Sequence, residues 1–140
     1  MGYEAETDSN IESVLEKLDV VLRFTPVRQR PDDLLDCWGD GAHHYLCVLT
    51  KGDEAMPFYY SMGSACKGHP KLRDVMYSLL LDVTVLDFDT FEEWAREYDC
   101  DEDSRRAERF YIACLAQAWQ FTRLFDARDR AHLQELFQDY

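Results

Sequence analysis

Several signatures of chemistry are missing from this sequence. It has no G-x-S-x-G, no P-loop and no G-x-G-x-x-G, so the common nucleophile and phosphate-cradling arrangements are not encoded. No run of about 18 apolar residues occurs, so no transmembrane helix is expected. The first residues, MGYEAETDSN, are acidic and polar, the opposite of a secretory signal. Glu6 stands where a myristoylation site needs Ser or Thr. Cysteine pairs are lacking too: Cys37, Cys47, Cys66, Cys100 and Cys114 are odd in number and form no C-x-x-C, which points to a reducing cytoplasm. Cys47 and Cys114 sit among apolar neighbours and read as small core residues. Basic residues are scarce, 15 Lys and Arg against 28 Asp and Glu. The net charge of −13 disfavours nucleic acid and anionic membrane as direct partners and favours a basic protein surface.

What is present is a local concentration of acid. Between Asp82 and Asp103 stand ten acidic residues (Asp82, Asp87, Asp89, Glu92, Glu93, Glu97, Asp99, Asp101, Glu102 and Asp103) and one base, Arg96. These 22 residues carry −9. Residues 1–19 carry −5, leaving +1 for the other 99. Charge placed this unevenly points to a surface made for a partner.

With 46% apolar residues over 140, the chain has enough material for one core and one domain, with residues 1–9 expected as a flexible arm. Ser9 and Glu12 form a capping box before Ile11, Val14, Leu15 and Leu18, predicting a helix over about 10–18. Asp19–Thr25 is β-branched and apolar, a strand that Pro26 should end. His44–Thr50 and Met56–Met62 read as the arms of a hairpin around Lys51-Gly52-Asp53-Glu54, with Pro57 marking an edge or bulge. Pro70 suits a first helical position, and Leu72, Val75, Met76, Leu79, Leu80 and Val83 follow at helical spacing. Thr90 and Glu93 cap a short helix carrying Phe91, Trp94 and Ala95. A long helix should start near Asp103, with Phe110, Tyr111, Cys114, Ala118, Phe121 and Phe125 on its buried face, and a last one should span about 127–138. Strands early and helices late give an α+β fold: a small antiparallel sheet of about three strands packed by four to five mostly C-terminal helices.

Other readings of the same residues are weaker. Asp99-x-Asp101-x-Asp103 opens like a calcium loop. Ser104 and Phe110, however, replace the glycine of the sharp turn and the bidentate glutamate. His43, His44 and Cys47, with Cys37, Cys66 and His69 nearby, lack the paired spacing of a structural zinc site. Phe58, Tyr59, Tyr60, Trp94, Trp119 and Phe121 could stack bases only beside a basic surface. Ser61, Ser64 and Cys66 approach His69 in sequence alone. No enzyme and no cofactor is expected. Helix capping explains Asp89, Glu92 and Glu93 before the short helix and Asp101, Glu102 and Asp103 before the long one. Asp82, Asp87, Glu97 and Asp99 are left without a structural reason.

Phe91, Trp94, the segment Asp101-Glu102-Asp103-Ser104-Arg105-Arg106-Ala107-Glu108, then Cys114, Gln117 and Leu124-Phe125, resemble a pattern recurring in small phage, prophage and plasmid proteins. In that pattern an acidic F-x-x-W helix precedes a D-x-D-S-R-x-A-E helix start. The hairpin ending in Tyr60-Ser61-Met62-Gly63 and the helix ending in Leu81-Asp82 resemble the upstream half of the same proteins. The resemblance implies origin in a mobile element and action in a host bacterial cytoplasm. Small acidic phage proteins of this kind include inhibitors of host defence, among them anti-CRISPR and anti-restriction proteins.

The expectation is therefore an anti-defence inhibitor, an anti-CRISPR protein that binds a CRISPR effector or another nucleic-acid-binding defence protein and blocks target DNA. Its contacts would be Asp82, Asp87, Glu92, Glu93, Glu97, Asp99, Asp101, Glu102 and Asp103. As one helix the 22 residues would span at most about 33 Å. That places one carboxylate per roughly 3.3 Å, near the 3.4 Å charge spacing of a single DNA strand. The alternative is a small adaptor or regulator of a basic host protein without DNA mimicry.

Overall fold

Strand alternation sets the sheet. Along β2 (His43–Lys51), Tyr45, Cys47 and Leu49 are buried, while Leu46 and Val48 between them are half-exposed, the period of two that one buried face requires. The computed structural model describes residues 2–29, 43–63 and 68–138, with the backbone alone for 2–9. In it, β1 (Val20–Val27), β2 and β3 (Glu54–Met62) form an antiparallel sheet in the order β1-β2-β3. Val20 pairs with Lys51, and Lys51 pairs with Glu54. Only Gly52 and Asp53 join β2 to β3. Gly52 has φ +59 and Asp53 is not in the positive-φ region, the sign pattern of a type II′ hairpin turn.

Pro26 does not end the first strand. It pairs with Tyr45 inside β1, and Pro57 lies opposite Val48 in β3. Both are edge strands, where a missing N–H costs the ladder nothing on its open side.

Among the described residues, five helices follow or precede the sheet: α1 (Gly2–Lys17), α2 (Leu72–Val83), α3 (Phe91–Glu97), α4 (Arg105–Leu124) and α5 (Ala127–Leu136). A 3-10 turn, Thr84–Asp87, extends α2. The fold is α+β, with the helices mostly C-terminal, as expected. Three boundaries differ. α1 starts at Gly2, ahead of the Ser9 capping box, because Glu4, Ala5 and Glu6 are themselves good helix formers and acids suit a helix N-terminus. Pro70 precedes the N-cap Lys71 of α2 instead of opening the helix, and it is buried. α4 is capped by Ser104, whose hydroxyl accepts from the Ala107 N–H at 3.1 Å, so Asp103 lies outside the helix.

The core lies between one sheet face and the helices. Leu49, Met56, Ile11, Leu15, Met76, Leu79, Phe121, Phe125 and Leu133 are its most deeply buried large side chains. Phe121 and Phe125 pack with ring centroids 4.9 Å apart. α4 crosses α2, the 3-10 turn, α3 and β3, which makes it the central helix. Gln117 is one of two buried polar residues among those described. Its Nε2 donates to Asp82 Oδ2 at 2.6 Å, tying α4 to the end of α2.

Candidate partner-binding surface

Geometry sorts the ten acids by what each already does. On α3, Trp94 and Ala95 face the core, while Glu92, Glu93, Arg96 and Glu97 are exposed. The 3.6-residue period puts those four on one outer face. Thr90 caps α3 by accepting from the Glu93 N–H at 3.2 Å. Glu93 Oε2 in turn accepts from the Asp89 N–H at 3.3 Å. The expected capping box is thus present, displaced by one residue on its return arm.

Asp82 and Asp99, left unexplained by the sequence, have structural reasons. Asp82 is half-buried and holds Gln117. Asp99 has φ +54 and ends α3. Its N–H donates to Arg96 O at 3.4 Å and the Cys100 N–H donates to Ala95 O at 2.8 Å, the bond pair of a Schellman motif. Aspartate is among the few L residues that tolerate this left-handed position. Replacing Asp99 with Gly is expected to raise stability by about 0.5–1 kcal/mol, and Asp99→Val to lower it by about 1–2 kcal/mol. Both changes remove the same carboxylate, so urea midpoints moving in opposite directions isolate the backbone effect; equal midpoints would rule it out.

Asp101 and Glu102 are also engaged. Asp101 Oδ1 accepts from the Asp103 N–H at 2.9 Å. Glu102 Oε1 meets Arg96 Nε at 3.1 Å, and the same Nε donates to Glu92 O. Among the described residues, the side chains of Asp87, Asp89, Glu92, Glu97, Asp99 and Asp103 take no hydrogen bond or ion pair, and all six are exposed; Asp99 serves the fold through its backbone alone. Asp89 was discounted as a cap, yet its side chain is as uncommitted as that of Asp87. Nothing local in the sequence marks it out.

The acidic field reaches inward. Tyr111, on the face of α4 that packs against Phe91 and Trp94, is buried, and burial pushes its phenol above the ordinary tyrosine value. The carboxylates of Glu92, Glu93 and Asp89 push it further in the same direction.

The competing sites do not assemble among the described residues. No group of three or more His, Cys, Asp or Glu side chains there could hold a metal ion. Cys37 and Cys66 lie outside the described residues. Cys47 is buried, His44 Nδ1 lies 2.7 Å from Ser61 Oγ, and His69 stacks on Phe24 at 5.0 Å. The six aromatics do not form a platform either: Phe58, Trp94 and Phe121 are buried in the core, and Trp119 is exposed. No helix among the described residues is long and apolar enough to cross a membrane. No protein-family model, curated protein or solved structure matches the chain.

Proposed function

We propose that this chain acts by binding, without catalysis, to a basic surface of another protein, through the exposed acids around α3. The observation that carries the reading is the set of six uncommitted carboxylates: Asp87, Asp89, Glu92, Glu97, Asp99 and Asp103. Long-range fields from such sets steer a cationic partner and raise its encounter rate. Glu92 and Glu97 lie on α3, which has seven residues and about 10 Å of axis; Asp87 and Asp89 precede it, and Asp99 and Asp103 follow it.

In its sharper form the partner is a nucleic-acid-binding defence protein of a bacterial host, a CRISPR effector above all, and the acidic face occupies the channel meant for target DNA. The resemblance to small acidic phage proteins supports this form. The charge density supports it less than the sequence suggested, because four of the ten carboxylates already serve the fold.

Capture from a bacterial lysate on the immobilised chain, with mass spectrometry of the retained proteins, tests the reading. A basic nucleic-acid-binding protein should be retained, and target duplex should elute it. Retention unaffected by duplex supports the adaptor form instead. Retention of acidic or neutral proteins alone would refute both.

A further inference from the structure

Beside the acidic face lies a cavity of about 460 Å³, between the end of α2, the 3-10 turn, α3 and α4. This is within the roughly 300–1,000 Å³ range of ligand pockets. Its walls are mostly apolar and aromatic. Trp94 and Phe110 line it with ring centroids 5.9 Å apart, and Tyr98 stands 5.5 Å from Trp94. Leu81 and Tyr98 are each just over half exposed, at 54% and 52%, and form the mouth. Val85 is buried.

Among the described lining residues, one carries a charge. The Asp82 carboxylate is set in the wall and oriented by the 2.6 Å bond from Gln117. Glu97 and Asp99 flank Tyr98 in the chain, and among the described residues no lysine or arginine lines the cavity. Arg96, the base of the stretch, is turned to Glu92 O and Glu102.

We propose that this pocket receives an arginine side chain of the basic partner. The aliphatic stem would lie against Leu81 and Val85. The guanidinium would stack on the Trp94 and Tyr98 rings and meet the Asp82 carboxylate. Arginine suits the site better than lysine because its planar, weakly hydrated cation both stacks on aromatic faces and forks onto a carboxylate. Such an anchor, desolvated at the centre of a charged rim, is the usual form of an interface hot spot. The proposal deepens the partner-binding reading and rests on it for the source of the arginine.

The test needs no partner. The full chain is titrated with acetyl-Gly-Arg-Gly-amide and with the same peptide carrying citrulline, the neutral isostere, while backbone amide resonances of Thr84, Val85 and Cys100 are followed. Saturable shifts are expected with the arginine peptide, and about tenfold weaker binding with citrulline. Asp82→Asn keeps an oxygen acceptor for Gln117 and should erase that preference. Tyr98→Leu keeps the apolar wall, removes a ring from a largely exposed position, and should weaken the arginine peptide severalfold. Equal binding of the two peptides would overturn the proposal in favour of an uncharged anchor. Shifts confined to Glu92, Glu93 and Glu97, or none, would overturn it as well. If reversal of the surface acids abolishes partner capture while the pocket shows no arginine preference, only the pocket proposal fails. An arginine preference in a chain whose partner capture survives that reversal refutes the surface reading alone.

Discussion

Changing Asp87, Asp89, Glu92 and Glu97 together to lysine is expected to reduce capture of a basic partner at least about a hundredfold at 0.1 M salt while leaving the chain folded. Each reversal changes the charge by two, so the stretch from Asp82 to Asp103 moves from −9 to −1. The four are chosen because their side chains hold nothing in the fold. Asp82, Glu93, Asp101 and Glu102 are spared because theirs hold Gln117, the Asp89 N–H, the Asp103 N–H and Arg96, and Asp99 because its left-handed backbone ends α3. The structural cost is confined to Asp89 and Glu92, which lose a favourable interaction with the α3 dipole of about 0.3–1 kcal/mol each.

Tyr111 offers a readout that requires no partner. Burial is the larger cause of its raised phenol, but Glu92 and Asp89 contribute. In the four-lysine variant the phenol should therefore fall, while burial keeps it above the ordinary value of about 10. Because the folded value is raised, Tyr111 contributes stability that is fully present below about pH 10 and is lost as pH climbs through the folded value. The variant should lose less of that contribution, with the loss ending at lower pH than in the parent chain, and Tyr111→Phe should remove the difference between them. Undiminished partner capture by the folded variant would eliminate the acidic surface as the binding site.

The largest effect on stability should come from Phe121→Ala. Phe121 is fully buried in the last turn of α4 and packs on Phe125. Truncating such a ring removes its transfer free energy and leaves a void the neighbours fill only in part, a loss of about 3–5 kcal/mol. Against a total of about 5–15 kcal/mol for a domain, this brings the chain close to unfolding. Trp119→Ala, two residues away, removes a larger side chain, yet Trp119 is 59% exposed and the change should stay within about 0.5 kcal/mol. Guanidinium denaturation of the two variants measures the contrast. A Phe121→Ala loss below about 1.5 kcal/mol would show that α4 is not the centre of the core.

That contrast was legible in the residues. The spacing of Phe110, Tyr111, Cys114, Ala118, Phe121 and Phe125 selects one face of a 20-residue helix, and Trp119 falls off it. The sheet was legible for the same reason: β2 alternates, and Gly52-Asp53 can close a two-residue hairpin. Boundaries read less well, because they turn on which neighbours a residue finds. Pro26 looks like a strand end until β1 proves to be an edge. Ser9 looks like a helix start until the residues before it join the helix.

The acidic stretch divides along the same line. Its charge, its position and the caps at Thr90 and Ser104 follow from local sequence, because capping involves residues only three apart. Which carboxylates are spoken for does not follow. Asp82 finds Gln117 across 35 residues, a contact made only when α2 and α4 pack. Arg96 finds Glu102 only after the left-handed Asp99 turns the chain back. The aromatic pocket beside Asp82 likewise exists only where four elements meet. The sequence by itself determined that this protein concentrates its negative charge around a short helix in an α+β fold, since composition and periodicity are local properties. Tertiary structure alone decided which of those charges serve the fold and which face outward, because hydrogen bonds between elements depend on packing that brings distant residues within about 3 Å.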